Sequence, residues 1–198
     1  MTRIEEGNLA FEFGERWSVF KLDEHRDYRG RIGKLTETKA VDFIGILDDN
    51  TLYFIEVKDF RNHRIANKDR LLKGKMPDCQ LIEGKCQLIK GELPLPIELA
   101  QKVRDSVACI IGAYQSSSNP AHWTPYAKLL CQKEKQIKVI LWLERDLPSH
   151  PSLIKKTRAF LKANVFKQQL RWLTSHVRVE NMEEQRLPDV KVSQLPSS

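Results

Sequence analysis

The chain has 198 residues, enough for one domain with a substantial core, and 41% of them are apolar. Its net charge of +7 permits a polyanionic partner without demanding one. No apolar run approaches the ~18 residues that span a membrane, and the first residues lack the pattern of a signal peptide. We therefore expect a soluble cytoplasmic protein that does not enter a membrane and whose cysteines are reduced.

The first half of the chain is rich in predicted strands. Large apolar and polar residues alternate over 17–23, which predicts a strand, and the glycines of 27–33 predict a loop. Two β-rich segments over 41–59 flank the turn residues 48–50, which predicts a hairpin. Both faces of these two strands are apolar, so we expect the sheet to be covered by helices on both sides.

The second half begins with an unusual segment at 61–96. It starts with a basic stretch and continues with a short tandem repeat, CQLIEGK and CQLIKGE, whose glycines argue against a helix. We interpret it as a basic insertion with room for a second small hairpin. The later predicted elements are a helix over 97–114, a loop over 116–120, a strand over 136–144, a helix over 149–173 and an edge strand over 176–179. Residues 1–180 are expected to form one domain, followed by a flexible tail over 181–198.

Three charged residues interrupt the apolar hairpin: Asp42 on its first strand, and Glu56 and Lys58 on its second. Burying an ionised side chain without a partner is very costly. One explanation is a structural ion pair between Lys58 and a carboxylate. The other is a divalent cation, because two carboxylates beside the backbone carbonyl of Val57 are hard oxygen ligands suited to Mg²⁺ or Mn²⁺. Lys58 would then orient or help to deprotonate a water molecule that attacks phosphorus.

The same residues form a recognisable pattern. Val41-Asp42, thirteen further residues and then Glu56-Val57-Lys58 resemble the signature of the PD-(D/E)XK nuclease superfamily, with valine in place of the proline. The resemblance implies an α/β protein with a three-layer α/β/α restriction-endonuclease-like core, in the order αβββαβ around a central mixed sheet. It also implies an Mg²⁺- or Mn²⁺-dependent endonuclease that acts on nucleic acid, foremost DNA. Asp42 and Glu56 would be metal ligands, and Lys58 would position the attacking water.

The resemblance leaves other positions open. Nucleases of this type often carry a glutamate on a helix before the first strand; Glu15 is our choice, and Asp23 is its rival. The family also often places an auxiliary polar residue on the helix after the hairpin, although a solvated helix face is the favoured explanation for each candidate. These candidates are Gln101, Lys102, Arg104 and Asp105. A homodimer is compatible with the resemblance, since nucleases that cut both strands often act as dimers.

The proposed site places a demand on the hairpin. Residues paired across two strands share a face, so Asp42 lies with Glu56 and Lys58 only if the loop has an odd length or a bulge corrects the register. A three-residue loop over 48–50 meets this demand, whereas a two-residue turn separates the groups. We therefore predict an odd loop or a bulge.

Two basic segments are candidates for holding a phosphate backbone. A solvated surface is an equally good reading of the first, over 61–75, and the favoured reading of the second, over 151–173. The candidate contacts are Arg61, Arg64, Lys68, Lys155, Lys156, Arg158 and Lys162. Trp123 and Tyr126 are candidates for base stacking, with core packing as the favoured role. The alternative function is the same fold without catalysis, acting as a nucleic-acid-binding or partner-binding module.

Overall fold

The computed structural model describes residues 1–61, 93–146 and 164–196, together with the backbone of 79–82 and 85–88. The strands are β1 (Thr2–Glu6), β2 (Leu9–Phe13), β3 (Trp17–Lys21), β4 (Phe43–Leu47), β5 (Thr51–Asp59), β6 (Cys79–Ile82), β7 (Lys85–Leu88), β8 (Gln136–Glu144), β9 (Val177–Glu180) and β10 (Val190–Gln194). The helices in these ranges are α1 (Arg26–Gly30), α2 (Leu95–Ser116), α3 (Pro120–Cys131) and α4 (Val165–Leu170), with a 3₁₀ turn at Ile32–Lys34.

A five-stranded mixed sheet, in the order β3-β4-β5-β8-β9, organises the fold. β3, β4 and β5 form an antiparallel meander, whereas β5 pairs with β8, and β8 with β9, in parallel. α2 and α3 lie in the connection from β5 to β8, because parallel strands need a long crossover. The predicted strands, the hairpin, the first predicted helix and the edge strand β9 are confirmed, and the chain is a mixed α/β protein.

Helices α2 and α3 cover one face of this sheet. Leu99 and Val103 of α2 and Trp123 of α3 are buried with Ile44 and Phe54 of the hairpin in one cluster, which we call the helix-side core. Trp123 and Tyr126 are almost fully buried, which confirms the core role over base stacking. α3 itself was not among the predicted elements.

A second sheet covers the other face, and this corrects the prediction of helices on both sides. β1, β2 and β10 form three antiparallel strands. Phe11 of this sheet meets Phe43 at 5.2 Å and Trp142 at 5.3 Å between ring centroids, in what we call the sheet-side core. An apolar strand face shows that something covers it, but a helix or a sheet can do so. Among the described residues the layers are therefore helices, central sheet and second sheet.

The two ends of the chain meet in this second sheet. Residues 1–16 hold β1 and β2 where the resemblance implied a helix. β10 pairs along all of β2, and Leu187 and Val190 are buried, so the prediction of a flexible tail over 181–198 is wrong for its described part. The Val-Lys-Val of β10 alternates as a strand does, but three alternating residues are too few to predict a strand.

Three other predictions have mixed outcomes. The predicted loop at 27–33 contains α1 and the 3₁₀ turn, and the His25 imidazole caps α1 by accepting a hydrogen bond from the Asp27 amide at 3.1 Å. β6 and β7 pair as an antiparallel hairpin, which confirms the second hairpin inside the insertion. The rest of 62–92, and the first part of the predicted helix over 149–173, lie outside the described residues.

Within the described ranges, no helix combines the length and apolar character needed to cross a membrane.

Candidate functional site

The register of the β4–β5 hairpin places Asp42 and Glu56 on one face. Leu47 pairs with Thr51 across a three-residue loop, and the ladder ends where Phe43 pairs with Ile55, so Asp42 occupies the next position, opposite Glu56. The predicted odd-length loop is confirmed. The face they share is the one that α2 covers.

Asp42 is held at the end of the ladder by two backbone contacts. Its carbonyl accepts a hydrogen bond from the Leu22 amide at 2.9 Å, and its Oδ2 accepts one from the Val57 amide at 2.6 Å. Burial, with the nearby charge of Glu56, raises the pKa of Asp42 to about 8, although Lys102 and the Val57 amide oppose the shift. The second carboxylate oxygen, Oδ1, faces the Lys102 ammonium at 3.8 Å.

Glu56 is 1% exposed and lies between two lysines. Its Oε1 is 3.0 Å from Lys58 Nζ and 2.6 Å from Lys102 Nζ. Burial raises the pKa of Glu56, and the two ammonium groups oppose this shift. Lys58 also contacts Glu98 at 3.1 Å. Burial lowers the pKa of Lys58, but the two glutamates outweigh that effect and raise it, so its ammonium is a hydrogen-bond donor at neutral pH.

These five side chains form one contiguous group, which we call the carboxylate–lysine cluster: Asp42, Glu56, Lys58, Glu98 and Lys102. Its centre is the Lys102 ammonium, a single positive charge between Asp42 and Glu56, the two carboxylates that the resemblance implies as metal ligands. Two carboxylates that face one cation, both offering hard oxygen donors, suit Mg²⁺ or Mn²⁺. Glu56 Oε2 is buried and has no hydrogen-bond partner in the described part of the chain, so this oxygen can also coordinate a metal ion.

The protein itself supplies only part of such a coordination shell. In the described ranges, no group of three or more histidine, cysteine, aspartate or glutamate side chains is arranged to hold a metal ion. The residues therefore fit a cation held by two carboxylates, with the remaining positions left for backbone oxygen, water or substrate.

Helix α2 contributes two members of the cluster, Glu98 and Lys102. Glu98 was not among the predicted site residues, and Lys102 was one of four candidates for which a solvated helix face was the favoured explanation. Leu95, Leu99 and Val103 form the apolar stripe of α2, and Glu98 and Lys102 occupy the neighbouring row one turn apart. In the sequence, the signal that could have identified Glu98 and Lys102 was their position along the edge of the apolar stripe of α2.

The other polar candidates on α2 do not reach the cluster. Gln101 Nε2 donates to the carbonyl of Glu37 at 3.0 Å. Arg104 is exposed and pairs with Asp105, whose Oδ2 accepts a hydrogen bond from the Lys39 amide at 3.1 Å. Gln101 and Asp105 thus anchor the segment before β4 to the helix.

The structure does not bring Glu15 into the site. Glu15 is exposed in the turn before β3, beside the Trp17–Leu47 pair, whereas Asp42 adjoins the other end of β4. The five residues of β4 separate the two by ~16 Å. The rival Asp23 is nearer: burial raises its pKa, and Lys102 is among the charges that act on it. Glu6, at the end of β1, also raises the pKa of Asp42.

Arg61, one of the predicted phosphate contacts, is bonded to neighbouring side chains. Its guanidinium bonds both oxygens of Asp59, at 2.8 and 2.5 Å, and donates to Gln194 at 3.0 Å, so a neighbouring carboxylate already balances its charge. The other six predicted contacts, Arg64, Lys68, Lys155, Lys156, Arg158 and Lys162, lie outside the described residues.

Comparisons of the chain with protein-family models, curated proteins and solved structures give no match.

Proposed function

We propose that the protein is a metal-dependent nuclease that hydrolyses phosphodiester bonds in DNA, with Mg²⁺ or Mn²⁺ as its cofactor. The observation that carries the proposal is the convergence of Asp42, Glu56 and Lys58 on one buried sheet face, in the register that the sequence pattern requires. The proposed metal ligands are Asp42, Glu56 and the carbonyl of Val57. In this proposal, β3, β4, β5, α2 and β8 correspond to the βββαβ part of a restriction-endonuclease-like core.

Each residue has a role that its contacts support. The Val57 amide holds Asp42 Oδ2, and Oδ1 faces Lys102, which also contacts Glu56. When bound, a divalent cation neutralises phosphate charge and lowers the pKa of a coordinated water. Lys58, held between Glu56 and Glu98, orients the attacking water by donating a hydrogen bond; its raised pKa favours this role over that of a base.

The test is cleavage of plasmid and of linear duplex DNA with Mg²⁺, with Mn²⁺ and with EDTA. Asp42→Asn, Glu56→Gln and Lys58→Met are each expected to lower the cleavage rate by about 100-fold or more, since each removes a group that acts on the reacting atoms. Arg16→Gln is the matched control, because it removes a charge from a salt bridge with Asp48 at the far end of β4.

Two results would contradict the proposal: cleavage that continues in EDTA, or cleavage that all three site variants retain at the rate of the parent protein. Circular dichroism of each variant separates loss of chemistry from loss of fold.

A second candidate function has one observation in its favour. The cluster balances its own charge, because Lys58 and Lys102 match Glu56 and Glu98, and the pKa of Asp42, about 8, leaves that carboxyl largely protonated at neutral pH. Such a cluster is stable without a metal, as a catalytically silent nucleic-acid-binding or partner-binding module requires. The module predicts salt-sensitive binding of nucleic acid, no cleavage with either metal, and no effect of Lys58→Met on binding.

A further inference from the structure

The connection between β3 and β4 carries an exposed row of cations that the sequence analysis did not select. Residues 26–39, which we call the basic strap, include α1 and the 3₁₀ turn. All five of its basic side chains are exposed: Arg26, Arg29, Arg31, Lys34 and Lys39. Asp27, one of its two acids, is buried and accepts hydrogen bonds from Ser117 at 2.7 Å and Trp123 at 2.8 Å, so Glu37 is the exposed acid of the strap.

The strap cations differ in their partners from four other cations of the protein. Arg3, Arg16, Lys21 and Arg61 each lie within 4.0 Å of a carboxylate. No strap cation does so in the described part of the chain; Arg26 and Arg31 instead donate to the hydroxyls of Ser118 and Ser116, and Arg29 donates to the carbonyl of Asp23. Hydroxyl and carbonyl partners leave the positive charge unbalanced.

The strap runs along α2 from the carboxylate–lysine cluster outward. At one end, the backbone carbonyl of Glu37 accepts a hydrogen bond from Gln101, and the backbone amide of Lys39 donates one to Asp105. Gln101 and Asp105 flank Lys102 in the sequence of α2. At the other end Arg31 reaches Ser116, fifteen residues further along α2, which is ~22 Å. Residues 106–133, which include the remainder of α2 and all of α3, contain no aspartate or glutamate. The result is a positive surface that begins beside the candidate site.

We propose that the basic strap binds the sugar–phosphate backbone of duplex DNA and directs it to Asp42 and Glu56. A length of ~22 Å spans about six base-pair steps, and cations without carboxylate partners are the groups that replace counterions on phosphates. Contacts of this kind position the duplex without reading its sequence. The inference rests on the proposed function for its choice of ligand.

The experiment measures binding without cleavage. A fluorescent 30-base-pair duplex is titrated in EDTA at several salt concentrations, with the parent protein and with Lys34→Gln/Lys39→Gln, whose side chains make no hydrogen bond or ion pair within the described residues. The matched control is Lys133→Gln/Lys135→Gln, which removes the same charge just before β8. These two lysines are far from the candidate site, because the adjoining Gln136 pairs with Thr51, which lies ~23 Å along β5 from Lys58.

We expect the strap variant to bind at least about fivefold more weakly, with a salt dependence shallower by about 2 in log–log slope, because two phosphate contacts are lost. The control variant should bind like the parent, and Lys34→Arg/Lys39→Arg should retain the affinity because it retains the charge. Equal weakening of strap and control variants, unchanged binding by the strap variant, or binding to anionic lipid vesicles but not to DNA would overturn the proposal.

Failure of this inference can be told apart from failure of the proposed function. If Asp42→Asn abolishes cleavage while the strap variant binds like the parent, the nuclease stands and the strap proposal falls. If the strap variant loses affinity but no preparation cleaves DNA with either metal, the strap proposal stands and the nuclease falls.

Discussion

Asp42 is a carboxyl group with a backbone donor on one oxygen and a lysine facing the other. These partners do not compensate its burial beside Glu56, so its pKa rises from 3.8 to about 8. A native state that binds a proton more tightly than the unfolded chain loses stability as the pH rises between those two values. Asp42 therefore destabilises the protein at alkaline pH when no metal is bound.

Asp42→Asn tests this linkage. Asparagine keeps an oxygen acceptor for the Val57 amide but cannot ionise. In EDTA, the excess of its free energy of unfolding over that of the parent should grow by about 2 kcal/mol or more between pH 5 and pH 9. Urea denaturation from pH 5 to 9 measures the difference. Asp48→Asn is the control: the hydrogen bond and charge of Arg16 lower the pKa of Asp48, so that variant gains nothing as the pH rises. A difference for Asp42→Asn that does not change with pH would contradict the prediction.

At the scale of elements, the β4–β5 loop decides whether the site exists. Asp48 and Asp49 have φ angles of 52° and 51°, the left-handed region that aspartate adopts more readily than most residues. Their conformation allows three residues to close the hairpin with Leu47 opposite Thr51. The register of Asp42 and Glu56 thus depends on two exposed residues at the other end of the strands.

Substitutions at Asp49 test this dependence. Asp49→Val should lower the free energy of unfolding by about 1–2 kcal/mol, because a β-branched residue fits the left-handed region poorly. Asp49→Gly, which adopts that conformation freely, should stay within about 0.5 kcal/mol of the parent. Urea denaturation at pH 6 measures both. If valine is tolerated as well as glycine, the loop does not constrain the hairpin as the dihedral angles indicate.

Sequence patterns predicted those elements whose signals are local. The apolar runs of β4, β5 and β8 and the helical spacing of α2 were sufficient, and the loop length followed from the requirement that Asp42 and Glu56 share a face. The second sheet was not predictable in this way, because β2 and β10 are joined only by long-range pairing of the two chain ends. The same limit applies to the site: Glu56 and Lys58 are two residues apart, but Lys102 reaches them only through the packing of α2 on the sheet.

At the scale of the whole molecule, one sheet carries two cores. In the described part of the chain, the helix-side core and the sheet-side core meet through β3, β4, β5 and β8, whose alternate residues point to opposite faces. Phe43 and Ile44 are neighbours in sequence, yet one belongs to each core. Loss of either core leaves a face of the central sheet in water, so we expect the two to unfold together.

A truncation after Glu180 tests this coupling from the end of the chain. It removes β10, the buried Leu187 and the Pro188 carbonyl that accepts a hydrogen bond from Trp17 Nε1 at 2.8 Å. We expect the free energy of unfolding to fall by about 3 kcal/mol or more. Leu187→Ala, which keeps the strand, should cost about 2–3 kcal/mol. Removal of residues 197–198 is the control.

Two probes decide whether the loss is global. Tryptophan fluorescence reports on both faces, since Trp17 and Trp142 belong to the sheet-side core and Trp123 to the helix-side core. Circular dichroism at 222 nm reports on the helices, and α2 and α3 are the longest of these in the described part of the chain. In Leu187→Ala the two urea transitions should coincide and shift together, because a cavity in one core weakens the sheet that both cores share. If the helical signal keeps the midpoint of the parent while the fluorescence midpoint falls, the second sheet is a separate unit, and the candidate site does not depend on it.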